Sequence, residues 1–164
     1  MTTYRVDYSM SHSMSHSSLP AVLARIEADF DNSLERLFEL LRIKSISADP
    51  AFADDCRAAA GHLANAFAAL GFSAEVRPTA GHPAVVARHR GNRGARPHVL
   101  FYGHYDVQPP DPLDLWQRPP FEPAVASHPD GRKIIVARGA EDDKGQLMTF
   151  VEACRAWLAV TGSL

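Results

Sequence analysis

From Leu19 to Leu41 the apolar positions fall at helical spacing: Val22, Leu23, Ile26, Phe30, Leu34, Leu37, Phe38 and Leu41 make one stripe. That period predicts an amphipathic helix. Arg42 to Pro50 breaks it with a Ser-rich turn. A second helix is expected from about Asp54 to Leu70, with Gly71 placed to end it in the left-handed conformation. Phe72 to Arg77 reads as a short strand stopped by Pro78, and Ala84 to His89 as another. His98 to Tyr102 is short, apolar and flanked by turn residues, the pattern of a buried strand. Residues 103–131 form a long proline-rich loop, and a loop of that length inside a compact domain is usually functional. Lys133 to Ala137 predicts a further strand. A last helix begins near Asp143 and carries Leu147, Met148, Val151, Cys154 and Leu158 on one side. Alternating helices and strands predict an α/β fold, a layered sheet with flanking helices.

Residues 1–18 are polar and repeat a Ser-Met-Ser-His unit. They are read as a disordered leader, which sets aside a metal role for His12 and His16. Residues 19–164 then form the folded portion, with Met14 an alternative start.

Composition narrows the function. The chain has 164 residues, is 46% hydrophobic and carries a net charge of −2, which fits one ordinary globular domain. No basic stripe points to nucleic acid, and no apolar run approaches the ~20 residues that span a bilayer. The two cysteines, Cys56 and Cys154, make no CxxC pair, so a thiolate zinc site is not expected and a reducing cytoplasm is.

Two segments carry candidate chemistry. Gly103-His104-Tyr105-Asp106-Val107-Gln108-Pro109 follows a predicted strand, and Arg138-Gly139-Ala140-Glu141-Asp142-Asp143-Lys144-Gly145 joins a strand to a helix. Both lie where α/β sheets place ligands, beyond the carboxyl ends of strands. His104 and Asp106 point the same way on extended backbone, so the pair supplies either a metal ligand with its orienting carboxylate or a simple turn. Asp142 suits either a metal or a helix cap. Each fragment alone is ambiguous.

In combination they resemble the co-catalytic two-zinc metallopeptidases and amidohydrolases: aminoacylase, succinyl-diaminopimelate desuccinylase, carboxypeptidase G and the carnosinase-type dipeptidases. Besides these two segments, Trp116, Pro120-Phe121-Glu122-Pro123 and Asp130-Gly131 follow the family's order and approximate spacing over roughly residues 20–164. Gln108 and the Asp-Asp-Lys-Gly ending look most like the dipeptidase branch. One small departure is Ala137, where relatives usually carry glycine.

The resemblance implies the front part of a zinc-peptidase catalytic domain, without the lid domain. It implies that His104 binds one zinc, that Asp106 is the catalytic carboxylate holding the His104 ring, and that Asp142 bridges two metals. Asp143 is then the partner in a cis peptide bond with Asp142. Zinc is the expected ion, with manganese or cobalt as substitutes. The implied reaction is hydrolysis of a peptide or amide bond in a small peptide or N-acyl amino acid, through a water shared by the two metals. The family's general-base glutamate and later ligands have no match here; Glu141 and Glu152 do not occupy those positions. The chain is therefore expected to be a C-terminally truncated fragment, marginally stable and inactive alone, from a protein for which a homodimer is conceivable. A non-catalytic pseudoenzyme or binding module is the alternative reading, and a mononuclear amidohydrolase a weaker third. His62, His82, His89, His98 and His128 are expected to be structural or exposed, Trp116 and Phe121 to pin the long loop, and Trp157 to lie in the core.

Overall fold

The computed structural model describes residues 15–91 and 98–164. In chain order these form α1 (Ser15–Ala28), α2 (Phe30–Arg42), α3 (Ala53–Ala69), β1 (Ser73–Arg77), β2 (Ala84–Arg88), β3 (Ala124–Ser127), β4 (Lys133–Val136) and α4 (Lys144–Thr161). Short 3-10 turns occupy Pro50–Phe52 and Leu113–Leu115. The architecture is mixed helix and sheet, with small sheets flanked by helices.

The first expected helix is two. Asp29 interrupts the stripe, and its carboxylate accepts hydrogen bonds from Asn32 (2.7 Å) and Arg36 (2.8 Å). A short acidic side chain that binds nearby groups in this way competes with helix continuation. The break turns Phe30 out to 59% exposure while Leu37, Leu40 and Leu41 stay buried. At the other end, α1 starts at Ser15, inside the segment read as a leader, and the leader reading for residues 1–14 falls outside the described residues.

The core is a three-helix seam: Leu37, Leu40 and Leu41 of α2, Ala59, Leu63 and Phe67 of α3, and Leu147, Met148 and Val151 of α4. Arg36 locks α2 to α4 through two hydrogen bonds to Glu152, at 2.8 and 2.6 Å, a fork-on-carboxylate pairing. Gly71 ends α3 with φ +82°. Its N–H donates to Ala68 O (2.9 Å), and Phe72 N–H donates to Phe67 O (3.1 Å). With the Phe67 and Phe72 rings 5.2 Å apart, this is a complete Schellman stop.

β1 and β2 pair antiparallel, from Ser73 opposite Arg88 to Arg77 opposite Ala84, and lay Ala74, Val85 and Ala87 against the core. β3 and β4 form a second antiparallel pair. The expected long loop is thus shorter, because Ala124–Ser127 finds a partner across the His128–Arg132 turn, where His128 N–H donates to Arg132 O (2.8 Å). The expected strand at 98–102 does not form, and Val99, Leu100 and Tyr102 are 87%, 93% and 84% exposed. A buried strand needs neighbours to take up its backbone hydrogen bonds. The two sheets among the described residues contain only β1 with β2 and β3 with β4, and neither takes this segment as a further strand. Phe101 alone is anchored, its ring stacked 4.0 Å from that of Phe150. Trp157, expected in the core, is half-buried.

Candidate metal centre

Two loops converge at one end of the helical seam. One runs from Gly103 to Val107, and the other crosses from β4 to the start of α4. Their meeting point is fixed from beneath by Ser45-Ile46-Ser47, which follows α2. Ile46 and Val107, 4% and 3% exposed, form an isolated parallel bridge, and Val107 N–H donates to Ser45 O (2.9 Å). The fully buried Ser45 hydroxyl donates to Tyr105 O (2.7 Å).

On this platform the structure brings together the four residues singled out from the sequence. His104 Nε2 lies 3.0 Å from Asp142 Oδ1. His104 Nδ1 faces Asp106, 3.2 Å from its carboxylate Oδ1 and 3.2 Å from its backbone oxygen. Asp106 Oδ2 accepts a hydrogen bond from the Ser47 hydroxyl. The Asp142–Asp143 peptide bond is cis. Asp143 does not cap α4 with its side chain; its Oδ2 instead accepts the His104 backbone N–H at 2.8 Å. Glycine at 103 makes room for that contact, since a Cβ there would stand 2.8 Å from Leu147 Cδ1 and 3.0 Å from Asp143 Oδ2.

The site opens to solvent on one side. Asp142 is 81% exposed, whereas the His104 side chain is 38% exposed. Burial lowers the His104 pKa, but hydrogen bonds to the Asp106 carbonyl and the Asp142 carboxylate, with both negative charges, outweigh it and raise the pKa above the usual imidazole value. A field that holds a proton between Nε2 and Oδ1 also favours a metal cation there. The donor set fits one: imidazole nitrogen and carboxylate oxygen are standard zinc ligands, and two donors at ~2.1 Å in tetrahedral array stand about 3.4 Å apart, close to the observed separation. His104 and Asp142 are two donors, and no group of three or more possible metal-holding His, Cys, Asp or Glu residues occurs among the described residues.

Lys144 was quoted in the sequence motif without a role. It is fully buried, and its ammonium donates to Leu40 O (3.1 Å) and Ile43 O (2.7 Å) at the C-terminal end of α2. Burial pushes its pKa down to about 8. The residue ties the start of α4, and so the Asp142–Asp143 turn, to α2. Ser47 escaped sequence reasoning altogether. Its partner lies 59 positions away, and only the alternation of Ser45, Ile46 and Ser47 hints at extended backbone.

The remaining candidates lie elsewhere. Glu152 is spent on Arg36, Ser33 and Arg155. His82 Nε2 contacts Ser47 O (2.9 Å), His89 packs on Phe72, and His128 pairs with Asp130. Trp116 pins the proline-rich loop, its Nε1 donating to Pro110 O (2.8 Å) while the Arg138 guanidinium lies over its ring. Phe121 lines a groove of about 520 Å³ with Arg42, Lys44 and Phe52, which none of His104, Asp106 and Asp142 lines. No helix among the described residues is long and apolar enough to cross a membrane.

Comparison with known proteins points to one family. Residues 100–163 match the model of peptidase family M20/M25/M40. The Cys-Gly metallodipeptidase dug1 of Schizosaccharomyces pombe is 31% identical over 148 residues, 85% of this chain and 30% of that protein. A succinyl-diaminopimelate desuccinylase of Azoarcus sp. is 43% identical over 97 residues, 59% of this chain and 23% of that protein. The solved structure of the di-peptidase Dug1p from Saccharomyces cerevisiae superposes with a TM-score of 0.77 at 27% identity, over 92% of this chain and 33% of that one. The chain therefore spans about a quarter to a third of the relatives it matches.

Proposed function

We propose, from the premise that this chain belongs to peptidase family M20/M25/M40, that His104 and Asp142 are metal ligands of a dipeptidase-like hydrolase acting on peptide or amide bonds. The observation that carries the reading is the 3.0 Å approach of His104 Nε2 to Asp142 Oδ1, with Nδ1 backed by Asp106. Zinc would be the ion that His104 and Asp142 hold. When bound, such ions supply Lewis acidity at the scissile carbonyl and make a water a better nucleophile.

The chain's own residues have separable tasks. The Asp106 backbone oxygen accepts the Nδ1 proton of His104, with the Asp106 carboxylate beside it, so that Nε2 would present a lone pair to a metal ion held between it and Asp142. Asp142 stands just before α4, where the helix N-terminus favours a carboxylate, and one of its oxygens is free of the His104 contact. Asp143 holds the His104 backbone. Two donors fall short of the three protein ligands usual at a catalytic zinc. With those two donors, the described residues by themselves bind metal weakly and do not turn over a dipeptide. The buried, unpaired Cys56 and Cys154 support a cytoplasmic location.

Zinc titration of the purified chain by calorimetry, alongside His104→Ala and Asp142→Ala, tests the reading. Wild type should bind zinc, and each variant should lose most of that binding. Equal zinc binding by all three proteins removes the assignment.

A further inference from the structure

The Ser45-Ile46-Ser47 segment does more than support the site loops, because one of its side chains joins the chain of contacts that ends at His104 Nε2. Among the described residues, Ser47 Oγ donates to Asp106 Oδ2. The other oxygen of that carboxylate lies 3.2 Å from His104 Nδ1. Ser47 is held in turn: its carbonyl contacts His82 Nε2 at 2.9 Å, and the neighbouring Ile46–Val107 bridge fixes its backbone against the loop. The carboxylate charge beside Nδ1 is therefore aimed from a segment about sixty residues away in sequence.

We infer that Ser47 is a positioning residue: by donating to Asp106 it sets the carboxylate that keeps the His104 proton on Nδ1 and presents Nε2 to a divalent metal ion. This rests on the metal-ligand reading of His104 and Asp142. A rival device is present in the same geometry, since the hydrogen bond from Nδ1 goes to the Asp106 backbone oxygen, also 3.2 Å away. If that carbonyl alone fixes the ring, Ser47 is dispensable.

The experiment uses the chain as it stands, with cobalt(II) as the probe metal and two readouts. The His104 ring nitrogen shifts, measured by NMR without metal, report the tautomer. Cobalt titration reports affinity. Ser47→Ala should shift the metal-free tautomer population away from Nδ1–H and weaken cobalt binding about 10-fold, the lower end of the effect of removing a partner that orients a ligand. Ser47→Thr keeps the hydroxyl and should restore both signals, which guards against a folding defect in the alanine variant. Adding Ser47→Ala to Asp106→Ala should cost nothing further, because the hydroxyl acts only through that carboxylate. An unchanged tautomer and affinity in Ser47→Ala, a threonine variant as weak as alanine, or additive losses in the double variant would each overturn the inference. Failure of the wild type to bind cobalt overturns the metal reading instead, and the metal-free tautomer measurement still decides the case of Ser47.

Discussion

The same substitution should have opposite effects at two glycines. At Gly145, in the first turn of α4, an added Cβ would lie 2.0 Å from the Ala140 carbonyl oxygen and 3.1 Å from its carbon. That oxygen belongs to the turn carrying Asp142 and is backbone, so no side chain can swing aside. Restoring ordinary contact requires the turn to open by more than 1 Å, given optimal separations of about 3.5–4.0 Å between carbon atoms. Overpacking of this kind costs about 1–3 kcal/mol, against a helix-propensity gain of up to about 1 kcal/mol. Gly61 lies in the middle of α3, and nothing comes within 4 Å of an added Cβ there. Gly61→Ala should therefore stabilise the chain by about 0.5–1 kcal/mol. Urea unfolding followed by far-UV circular dichroism separates the two. With a slope of about 2 kcal/mol/M, Gly145→Ala should lower the midpoint by up to about 1 M, and Gly61→Ala should raise it by about 0.3–0.5 M. Gly145→Ala should also weaken zinc binding, because the strain falls on the Asp142 turn, whereas Gly61→Ala should leave it unchanged. A Gly145→Ala midpoint at or above wild type would refute the steric argument.

Two further predictions concern the supports around the site. Lys144→Met removes two charge-assisted hydrogen bonds but leaves each acceptor one backbone donor, since Ile43 N–H donates to Leu40 O and Ser45 N–H to Ile43 O. A destabilisation of about 1–3 kcal/mol at pH 7 follows, readable as a lower urea midpoint. Its pH dependence has a definite sign. The Lys144 pKa is about 8 when folded, against an ordinary lysine value of 10.5, so the unfolded chain binds more protons between those values and this residue's contribution to stability rises with pH across that window. The gap between wild type and Lys144→Met should widen from pH 8 to pH 10, and a gap that narrows would contradict the burial argument. Arg36→Met takes two charge-assisted hydrogen bonds from the Glu152 carboxylate, which is only 14% exposed and keeps Ser33 and Arg155, and should cost about 1–3 kcal/mol. Adding Glu152→Met should recover part of that loss in the same unfolding assay, and strictly additive losses would show that the two side chains do not act as a pair.

The apolar period and the Gly71 stop were enough to locate α3 and α4, and to mark 19–41 as helical without its break at Asp29, because a helix satisfies its backbone locally and its buried face is written every three to four residues. The same holds for the β1–β2 hairpin, where both strands lie within one short stretch of chain. His104, Asp106, Asp142 and Asp143 were legible as chemistry through the order of two motifs, in a resemblance that no single fragment carried. What the tertiary structure decided depends on partners far away in sequence. The 98–102 segment has the composition of a strand but lacks a neighbouring ladder, and its apolar side chains stand in solvent. Asp29 reads as one polar residue within a stripe until its carboxylate is seen to engage Asn32 and Arg36. Ser47 reaches Asp106, and Lys144 reaches the end of α2, across 59 and about one hundred positions. A local pattern records which face of an element is buried, but it does not record which polar atom meets which across the fold, and those meetings decide which way the His104 ring is held.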